Sequence, residues 1–354
     1  MQADAIRVDG CTITPETLDN WRRGRSGIQA EVGAFLASWW STTPTLSLQT
    51  SGSTGRPKVL QATRAAMAAS AAATCRAFQL QAGHTALLCL PMRYIAGQMM
   101  VVRALVGRLH LITTEPASTP LAGMRNPVDF APMVPMQVVS TLAQPGGRRA
   151  LERIGVLLLG GGFIDSGLEE SLQRLRTQVY ASYGMTETLS HIALRAVNGP
   201  RRSALYTPLP GIRLSLAPGG TLQVEASYLG TGLLTTNDLA EITPDGSFRI
   251  LGRADAVINS GGVKIQAEAL EQELQQRTGL QVLALPMPHP VLGQCVALLW
   301  EGPAEAENTL RTACAELPRY HQPKQLHRCT LPRTGSGKPA RAEASSLLAR
   351  LTPA

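Results

Sequence analysis

Along the first half of the chain, apolar runs that favour strands alternate with stretches whose composition favours helices. The predicted strands are 5–8, 45–48, 86–90, 137–142, 154–159 and 178–182. The predicted helices are 28–40, 62–80, 98–106 and, after a capping box at Ser166 and Glu169, 166–176. Strands that end in glycine turns and alternate with helices predict an open α/β sheet, which binds ligands at the carboxyl ends of its strands.

The pattern changes from residue 205 onwards. Short alternating strands at 213–216, 221–225 and 248–251, set among Gly, Pro and Thr, predict a small β subdomain. A helix near 268–276 and strands at 282–285 and 295–300 predict a compact α+β domain at the end. The predicted fold is therefore α/β, with a large N-terminal domain of packed α/β sheets including the β subdomain (1–252) and a small α+β C-terminal domain (253–354).

A run of small residues follows the predicted strand 45–48. It consists of Thr50, Ser51, Gly52, Ser53, Thr54 and Gly55. Backbone N–H groups and hydroxyls of such a loop can approach a phosphate chain closely, because no large side chain blocks them. A flexible linker is the alternative, but the preceding strand, the cations Arg56 and Lys58 and the Ala-rich segment beyond favour a phosphate loop. The spacing is not that of a Walker A loop.

Composition narrows the class of protein. Apolar residues make up 44% of the 354 positions and charged residues 16%, as in soluble globular enzymes. The net charge is +8, yet Lys and Arg never run beyond a pair and aromatic residues are only 4%, which favours small polyanions such as nucleotides over nucleic acid. Six scattered cysteines predict free thiols in a reducing compartment, and no signal peptide or membrane-length apolar run is seen, so we expect a cytoplasmic protein.

Five segments resemble, in order, the motifs of the acyl-adenylate-forming superfamily, which includes acyl-CoA synthetases, adenylation domains and luciferases. They are T-S-G-S-T-G-R-P-K (50–58), S-Y-G-M-T-E-T (182–188), T-T-N-D (235–238), G-R-A-D-A-V-I-N-S-G-G-V-K-I (252–265) and P-R-T-G-S-G-K (332–338). One glycine-rich loop would be weak support, but five ordered motifs span most of the chain. The chain is therefore identified as a member of this superfamily.

The resemblance implies an enzyme that attacks the α-phosphate of ATP with a carboxylate, releases pyrophosphate and passes the acyl group of the acyl-AMP to a thiol, usually coenzyme A. It implies ATP, Mg²⁺ and coenzyme A as cofactors or co-substrates and a small carboxylic acid as substrate. Nucleic-acid binding and membrane insertion are not expected, and a homodimer is left open. Since no protein nucleophile is needed, the protein would position the reactants and stabilise charge.

The resemblance also assigns roles to residues of the large domain. The loop from Thr50 to Lys58 would hold the β- and γ-phosphates, Thr186 would contact phosphate and Glu187 would hold Mg²⁺. Asp238 would accept hydrogen bonds from both ribose hydroxyls, and Arg253 would lie beside the ribose. The residues expected to line the adenine and acyl sites are Gly160, Gly161, Gly162, Ser182, Tyr183 and Gly184.

The small domain is implied to be a mobile lid. Lys338 would reach from it to stabilise the charge on the reacting phosphorus, although a lysine between glycine and proline is otherwise a solvated charge. Asp255 matches the hinge about which the lid rotates after adenylation. Rotation would withdraw Lys338 and bring the thiol-side residues Gly261, Gly262 and Lys264 close to coenzyme A.

Within the superfamily, residues 91–105 and 184–195 resemble short o-succinylbenzoate–CoA ligases of menaquinone synthesis. That acid is a dianion, so one carboxylate would react and the other needs a remote anchor. The candidate contacts are Arg93, Tyr94, Gly97, Arg103, His191 and Arg195. No single anchor is chosen among them, and His191 is equally well explained as a satisfied core histidine.

The chain departs from the family at two places. Asn237 replaces the usual glycine before Asp238, and the region before residue 50 is shorter than usual, so part of the N-terminal subdomain is expected to be absent. Two alternatives stay open at this point. One is transfer of the acyl group to a carrier-protein thiol, and the other is a nucleotide-binding remnant without catalysis.

Overall fold

The computed structural model describes residues 4–49, 59–162, 164–230, 232–334 and 339–352. They form two compact units: the first contains the described residues up to 213 together with 225–233, and the second contains 214–224 and 234–352. The domain boundary expected between residues 252 and 253 stays a prediction. In the part of the chain that the structure describes, every helix is too short or too polar to span a bilayer.

The elements follow one another in alternation, as the apolar pattern predicts for the first half of the chain. The strands are β1 (Ile6–Val8), β2 (Cys11–Ile13), β3 (Thr45–Gln49), β4 (Val59–Thr63), β5 (Thr85–Leu88), β6 (His110–Thr113), β7 (Val128–Met133), β8 (Ile154–Leu159), β9 (Gln178–Gly184), β10 (His191–Ala196), β11 (Thr207–Pro208), β12 (Ile212–Leu216), β13 (Thr221–Ala226), β14 (Leu233–Ile242), β15 (Phe248–Arg253), β16 (Val257–Ser260), β17 (Val263–Gln266), β18 (Gln281–His289), β19 (Gly293–Glu301) and β20 (Gln325–Arg328). The helices are α1 (Leu18–Arg22), α2 (Gly27–Trp39), α3 (Arg64–Ala77), α4 (Ile95–Gly107), α5 (Pro135–Leu142), α6 (Gly147–Leu151), α7 (Ser166–Gln173), α8 (Ala267–Thr278), α9 (Glu307–Ala315) and α10 (Arg341–Leu351), with short 3₁₀ turns at Ser227–Leu229, Ala254–Ala256 and Ala304–Ala306.

The first unit is built on a sheet in the order β11-β10-β9-β8-β7-β5-β6-β1-β2. In this order the strands from β9 to β1 all run parallel to one another. Strands β10 and β11 at one edge and β2 at the other are added in antiparallel orientation. Successive strand residues point to opposite faces: Leu88 packs with helices α2–α4 on one face, and Leu87 packs with α5–α7 on the other. The predicted open α/β sheet is confirmed.

The second unit contains two sheets. One has the order β12-β13-β14-β15, which confirms the predicted β subdomain, and the other has the order β17-β16-β19-β18 with β20 beside β19. Helices α8 and α9 cover one face of the β18–β19 pair and α10 covers the other. The neighbouring residues Ala284 and Leu285 point to opposite faces, so Ala284 packs with α8 and α9 and Leu285 packs with α10.

The strand predicted at 137–142 is wrong, since these residues belong to helix α5. Pro135 occupies the first helical turn, where its missing N–H leaves no unsatisfied partner. The side chain of Gln137 accepts a hydrogen bond from the backbone of Val134 at 3.1 Å and so caps the helix start. Val138 is buried while Met136 and Val139 are exposed, which is the spacing of a helix face.

Two helix starts also differ from prediction. Residues 59–63 form strand β4, antiparallel to β3, and α3 begins only at Arg64, where the Thr63 hydroxyl accepts from the backbone of Ala66 at 3.2 Å. Helix α7 is capped by Asp165 and not by the predicted Ser166: Asp165 Oδ1 accepts from the N–H of Leu168 at 2.8 Å. Both caps lie one position before the helix, as side-chain capping requires.

Candidate active site

The loops that follow β5, β7, β8 and β9 lie at one edge of the sheet because these strands are parallel. Residues 160–162 follow β8, and Ser182 and Gly184 lie at the end of β9. Ser182 Oγ donates to the carbonyl of Leu159 at 2.9 Å, and a Cβ on Gly160 would stand 2.7 Å from that hydroxyl. The two segments expected to line the nucleotide and acyl sites are thus direct neighbours, joined by this hydrogen bond.

Gly184 ends β9 opposite His191 of the antiparallel strand β10. A Cβ on Gly184 would stand 2.3 Å from the carbonyl oxygen of Ser190, so only glycine fits between these backbones. The following turn is fixed by Thr188, whose fully buried hydroxyl accepts from the N–H of Met185 at 2.9 Å and donates to the carbonyl of Ser190 at 2.7 Å. The turn therefore has a defined shape at the edge of the sheet.

This turn presents Thr186, which is half-buried, and Glu187, which is exposed. The carboxylate of Glu187 has no ion-pair partner among the described residues. It is therefore available to a hard cation such as Mg²⁺, which is usually held by one or two carboxylates together with substrate phosphates. The absence of any cluster of three metal-ligating side chains in the described ranges is compatible with that mode of binding.

A buried polar cluster lies behind the turn. Arg103 of α4 is 3% exposed; its guanidinium donates to the hydroxyl of Ser190 and, at 3.2 Å, to that of Thr74 on α3. His191 is 6% exposed, and its ring nitrogens lie 3.3 Å from the same two hydroxyls. Each polar side chain of the cluster thus has a partner, and none of those partners is a carboxylate.

Burial governs the ionisation of this cluster. It lowers the pKa of Arg103 to about 10, which still leaves the guanidinium charged at neutral pH. Burial, followed by repulsion from Arg103, lowers the pKa of His191 well below its usual value, so that the ring is neutral. Among the residues that the structure describes, the cluster therefore holds one buried positive charge with only neutral partners, an arrangement that costs free energy unless an anion completes it.

The other cationic candidates are placed differently. Arg195 is held in a fork by Glu169, with nitrogen–oxygen distances of 3.2 and 3.3 Å. Arg93 is exposed and lies over the ring of Tyr94, 4.9 Å from its centroid. Gly97 is buried against the loop that follows β5, since a Cβ there would stand 2.5 Å from the carbonyl oxygen of Pro91. Of the three arginines named from sequence, Arg103 is the one buried without an acidic partner in the described chain.

In the second unit, Arg253 joins two acids that the sequence assigns to different roles. Asp238 of β14 faces Arg253 of β15 in the strand register, with 3.6 Å between carboxylate and guanidinium. Arg253 also donates through two nitrogens to Asp255, at 2.8 and 2.7 Å. These hydrogen bonds, with the attraction between the charges, lower the pKa of Asp255 and raise that of Arg253. The predicted ribose acceptor and the predicted hinge acid thus share one arginine.

The predicted thiol-side residues form a tight turn between β16 and β17. Gly261 and Gly262 both have positive φ, 60° and 86°, as a two-residue hairpin turn with the favoured twist requires. The N–H of Gly261 donates to the carbonyl of Leu292 at 3.0 Å, and Lys264 is exposed on β17 opposite Asn259. The turn is therefore fixed by its own backbone and by the neighbouring β18–β19 connection.

Other predicted site residues lie outside the described residues. They are the whole predicted phosphate loop, from Thr50 to Lys58, and the predicted catalytic Lys338. The described chain brackets them: β3 and β4 pair on either side of the first segment, and Arg333 pairs with Pro339 across the second. The roles of these residues stay predictions.

The sequence reasoning missed Thr74 and Ser190 as partners of Arg103. Thr74 lies in an Ala-rich helix and Ser190 lies two residues beyond the motif 182–188, so the sequence around neither residue indicates a contact with α4. A cation in the middle of an apolar helix was the available signal, because such a residue needs buried polar partners when its helix packs against a sheet.

The comparisons with known proteins agree with this geometry. Residues 32–223 match the family described as "AMP-binding enzyme". The chain belongs to the AMP-binding enzyme family. This confirms the superfamily and the class of AMP-forming enzyme that the five motifs predict.

Relatives and solved structures extend the match. The chain is 26% identical over 313 residues to the 2-succinylbenzoate–CoA ligase of Escherichia coli K12, covering 84% of this chain and 67% of that protein. It is 37% identical to an acyl-CoA synthetase (AMP-forming)/AMP-acid ligase II-like protein from Dyadobacter fermentans, with a TM-score of 0.64 over 94% of this chain and 97% of the other. An o-succinylbenzoate CoA synthetase from Bacillus subtilis, in complex with its acyl-adenylate intermediate, is 22% identical with a TM-score of 0.72 over 84% of this chain and 68% of the other, which is a likeness of fold.

Proposed function

We propose that this AMP-binding enzyme is an ATP-dependent acid–CoA ligase that converts o-succinylbenzoate to o-succinylbenzoyl-CoA. In the first step a carboxylate oxygen attacks the α-phosphorus of ATP, the bond to the β-phosphate oxygen breaks, and pyrophosphate leaves. In the second step the sulfur of coenzyme A attacks the acyl carbon and AMP leaves. The similarity to named 2-succinylbenzoate–CoA ligases supports both the reaction and the acid.

The choice of acid rests on one observation, which is the burial of Arg103 among neutral partners. A buried guanidinium whose partners among the described residues are all neutral is incomplete as an ion pair, and it lies behind the glycine turn at the carboxyl edge of the sheet. A dicarboxylic acid would supply the missing negative charge through the carboxylate that does not react. We therefore assign the remote anchor to Arg103, with the hydroxyls of Ser190 and Thr74 orienting the guanidinium and neutral His191 contacting both hydroxyls.

The remaining roles follow from residue chemistry. Mg²⁺, held by Glu187 and the phosphates, would neutralise charge on the triphosphate, and Thr186 would donate to a phosphate oxygen. Asp238 would accept from the ribose hydroxyls, with Arg253 beside them. Lys338 would stabilise charge that develops at the α-phosphorus, and the turn at 261–262 with Lys264 would meet coenzyme A.

The test is pyrophosphate release from ATP and Mg²⁺ with a panel of acids: o-succinylbenzoate, aryl acids of similar size with one carboxylate, and fatty acids. We expect o-succinylbenzoate to be the best substrate. The second step is followed as thioester formed with coenzyme A or with a phosphopantetheinylated carrier protein. Release with another acid only would remove the proposed substrate, and transfer to the carrier only would replace the acceptor.

A substitution at Arg103 tests the anchor. Arg103→Met keeps most of the side-chain volume and removes the charge, and replacing a buried charge by an apolar residue is often tolerated by the fold. We expect kcat/KM for o-succinylbenzoate to fall by about 10²-fold, as for loss of one buried ionic contact of about 3 kcal/mol. The value for a monocarboxylic aryl acid should change little. Equal losses for both acids would show that Arg103 serves the fold and not the second carboxylate.

A further inference from the structure

The two chain segments that flank residues 335–338 are anchored in the core of the second unit. Before them, Leu331 is buried against Leu283 and Leu299 of the β18–β19 pair. After them, the N–H of Ala340 donates to the carbonyl of Pro332 at 2.9 Å, which closes the base of the segment. We call residues 331–334 and 339–341 the stem. Its two sides are therefore joined to each other and to the sheet.

The stem ends in an ion pair that connects three elements. Arg341, the first residue of α10, donates to both carboxylate oxygens of Glu271 on α8, at 2.9 and 2.7 Å. Both residues also bind the backbone of Ala284 in β18: its N–H donates to Glu271 at 2.7 Å, and its carbonyl accepts from Arg341 at 3.1 Å. Four hydrogen bonds thus fix the direction in which the chain leaves the stem.

We propose that Arg341 and Glu271 form a positioning clamp that fixes the stem, which is the described chain on both sides of the segment carrying the predicted catalytic Lys338, and that adenylation depends on this clamp. Arg341 follows Lys338 by three residues, so an error in the stem is passed on to the lysine over a very short length of chain. The inference rests on the proposed function, because it takes from it the role of Lys338 at the reacting phosphate. Neither residue of the clamp touches substrate in this account.

The energetics of the pair favour a positioning role over a stabilising one. The carboxylate of Glu271 is only 14% exposed, and burial raises its pKa to about 7 in spite of the arginine beside it. A buried pair of this kind is weak support for stability, since apolar residues are easier to bury. Its geometry is specific, however, because one guanidinium nitrogen of Arg341 binds both oxygens of Glu271 and the other binds the carbonyl of Ala284. Glu268 lies 3.9 Å from the same guanidinium, too far for a hydrogen bond.

Two variants separate the two roles. Glu271→Gln keeps the shape of the side chain but offers one acceptor oxygen instead of two. Arg341→Lys keeps the charge but has one nitrogen where the guanidinium uses two, one for Glu271 and one for the Ala284 carbonyl. Arg277→Gln is the matched control. Arg277 lies on α8, as Glu271 does, and forms ion pairs with Glu273 and Glu316, but these pairs are on the exposed surface.

Each variant is compared with the parent chain in four measurements at pH 7.5. These are adenylation by pyrophosphate exchange, thioester formation from preformed acyl-AMP, the melting temperature, and hydrogen exchange of the peptide that covers residues 331–341. For Glu271→Gln we expect an equal or higher melting temperature, faster exchange in the stem, and adenylation slower by roughly 10- to 100-fold, as misplacement of a catalytic group by about 1 Å can cause. Thioester formation should stay within about twofold of the parent, since it does not use Lys338. Arg341→Lys should show the same pattern, and Arg277→Gln should match the parent.

The outcomes distinguish the clamp from the proposed function. Unchanged exchange in the stem, or equal losses in both half-reactions together with a lower melting temperature, would overturn the clamp and leave an ordinary structural pair. If the parent chain forms no acyl-AMP with any acid, the proposed function is wrong and the catalytic consequence of the clamp falls with it. The exchange of the Ala340 amide in the two variants would still decide whether the pair fixes the stem.

Discussion

At the scale of single residues, glycines are required where two backbones meet at the edge of the sheet. Gly184 is the clearest case, because the missing Cβ would stand 2.3 Å from the carbonyl oxygen of Ser190. Neighbouring backbone cannot give way as a flexible side chain can. The identity of this residue is therefore set by the distance between β9 and the start of β10.

We predict that Gly184→Ala lowers the free energy of unfolding by about 1–3 kcal/mol, the usual cost of overpacking. Activity with the preferred acid should fall as well, because the substitution displaces Ser190, which holds Arg103. Denaturant unfolding measures the first effect and pyrophosphate release the second.

The control is Gly167→Ala in helix α7. Its Cβ would meet nothing closer than 3.4 Å, and alanine is favoured over glycine within a helix by about 0.5–1 kcal/mol. That variant should be as stable as the parent or more so. A Gly184→Ala protein with parental stability would mean that the strands separate easily and that the fit is not tight.

The sequence predicts glycines, acids and cations of the site by their motifs, but not the partners that those residues find. Arg103 illustrates this. Its position in an apolar helix is visible in the sequence, whereas the hydroxyls of Thr74 and Ser190 come from residues far away in the chain, and only the packing of α3, α4 and β10 brings them together. Arg253 is similar, since the strand register and not the spacing puts Asp238 opposite it.

At the scale of elements, apolar runs locate strands well where both faces are buried. The run 154–159 coincides with β8, because a strand covered by helices on both faces is apolar at nearly every position. The same composition misleads at 137–142, where a proline and a capping glutamine start helix α5. Short β-branched runs do not distinguish strand from helix, so the end signals decide.

The start of helix α7 provides a test of one such signal. We predict that Asp165→Ala lowers the free energy of unfolding by about 1 kcal/mol, because the backbone N–H of Leu168 loses its acceptor. Ser166→Ala should change it by less than about 0.5 kcal/mol. Thermal unfolding of both variants is the measurement, and a larger effect at Ser166 would favour the cap predicted from sequence.

The contact between α8, β18 and α10 should make stability depend on pH. The folded protein keeps a proton on Glu271 up to a pKa of about 7, whereas the unfolded chain loses it near its ordinary value of 4.5. The unfolded state therefore binds fewer protons between these values, and the contribution of Glu271 to stability is lost as pH rises from about 4.5 to 7.

We expect this group to lower the free energy of unfolding by roughly 3 kcal/mol across that window, and the pKa of about 7 already includes the effects of the facing charges of Arg341 and Glu268. Glu271→Gln cannot titrate and should flatten the curve in this range. Urea unfolding at half-unit steps of pH would measure it. A curve for the variant that is parallel to that of the parent would assign the dependence to other groups.

At the scale of the whole molecule, the motifs are divided between the two units. The glycine turns, Glu187 and Arg103 belong to the first, and Asp238, Arg253 and the turn at 261–262 belong to the second. The fold of each unit could be predicted from strand and helix patterns. The orientation of the units in each half-reaction could not be predicted in this way, because in the proposed function it depends on which ligands are bound.

Substitutions of Lys338 and Lys264 test the proposed function, because they should affect opposite half-reactions. If the second unit presents Lys338 during adenylation and the turn beside Lys264 during transfer, each lysine should matter in one step. Lys338→Ala should slow adenylation by about 10²-fold or more, as for loss of one preorganised charge, and should have less effect on thioester formation from preformed acyl-AMP.

Lys264→Ala should show the opposite pattern, with adenylation close to that of the parent and thioester formation reduced. Pyrophosphate exchange reports the first step, and coenzyme A thioester formed from added acyl-AMP reports the second. Both variants remove one lysine charge, so a general effect of net charge would appear equally in the two proteins. If either variant damages both steps to the same extent, a single arrangement of the two units serves the whole reaction, and the two-conformation account is wrong.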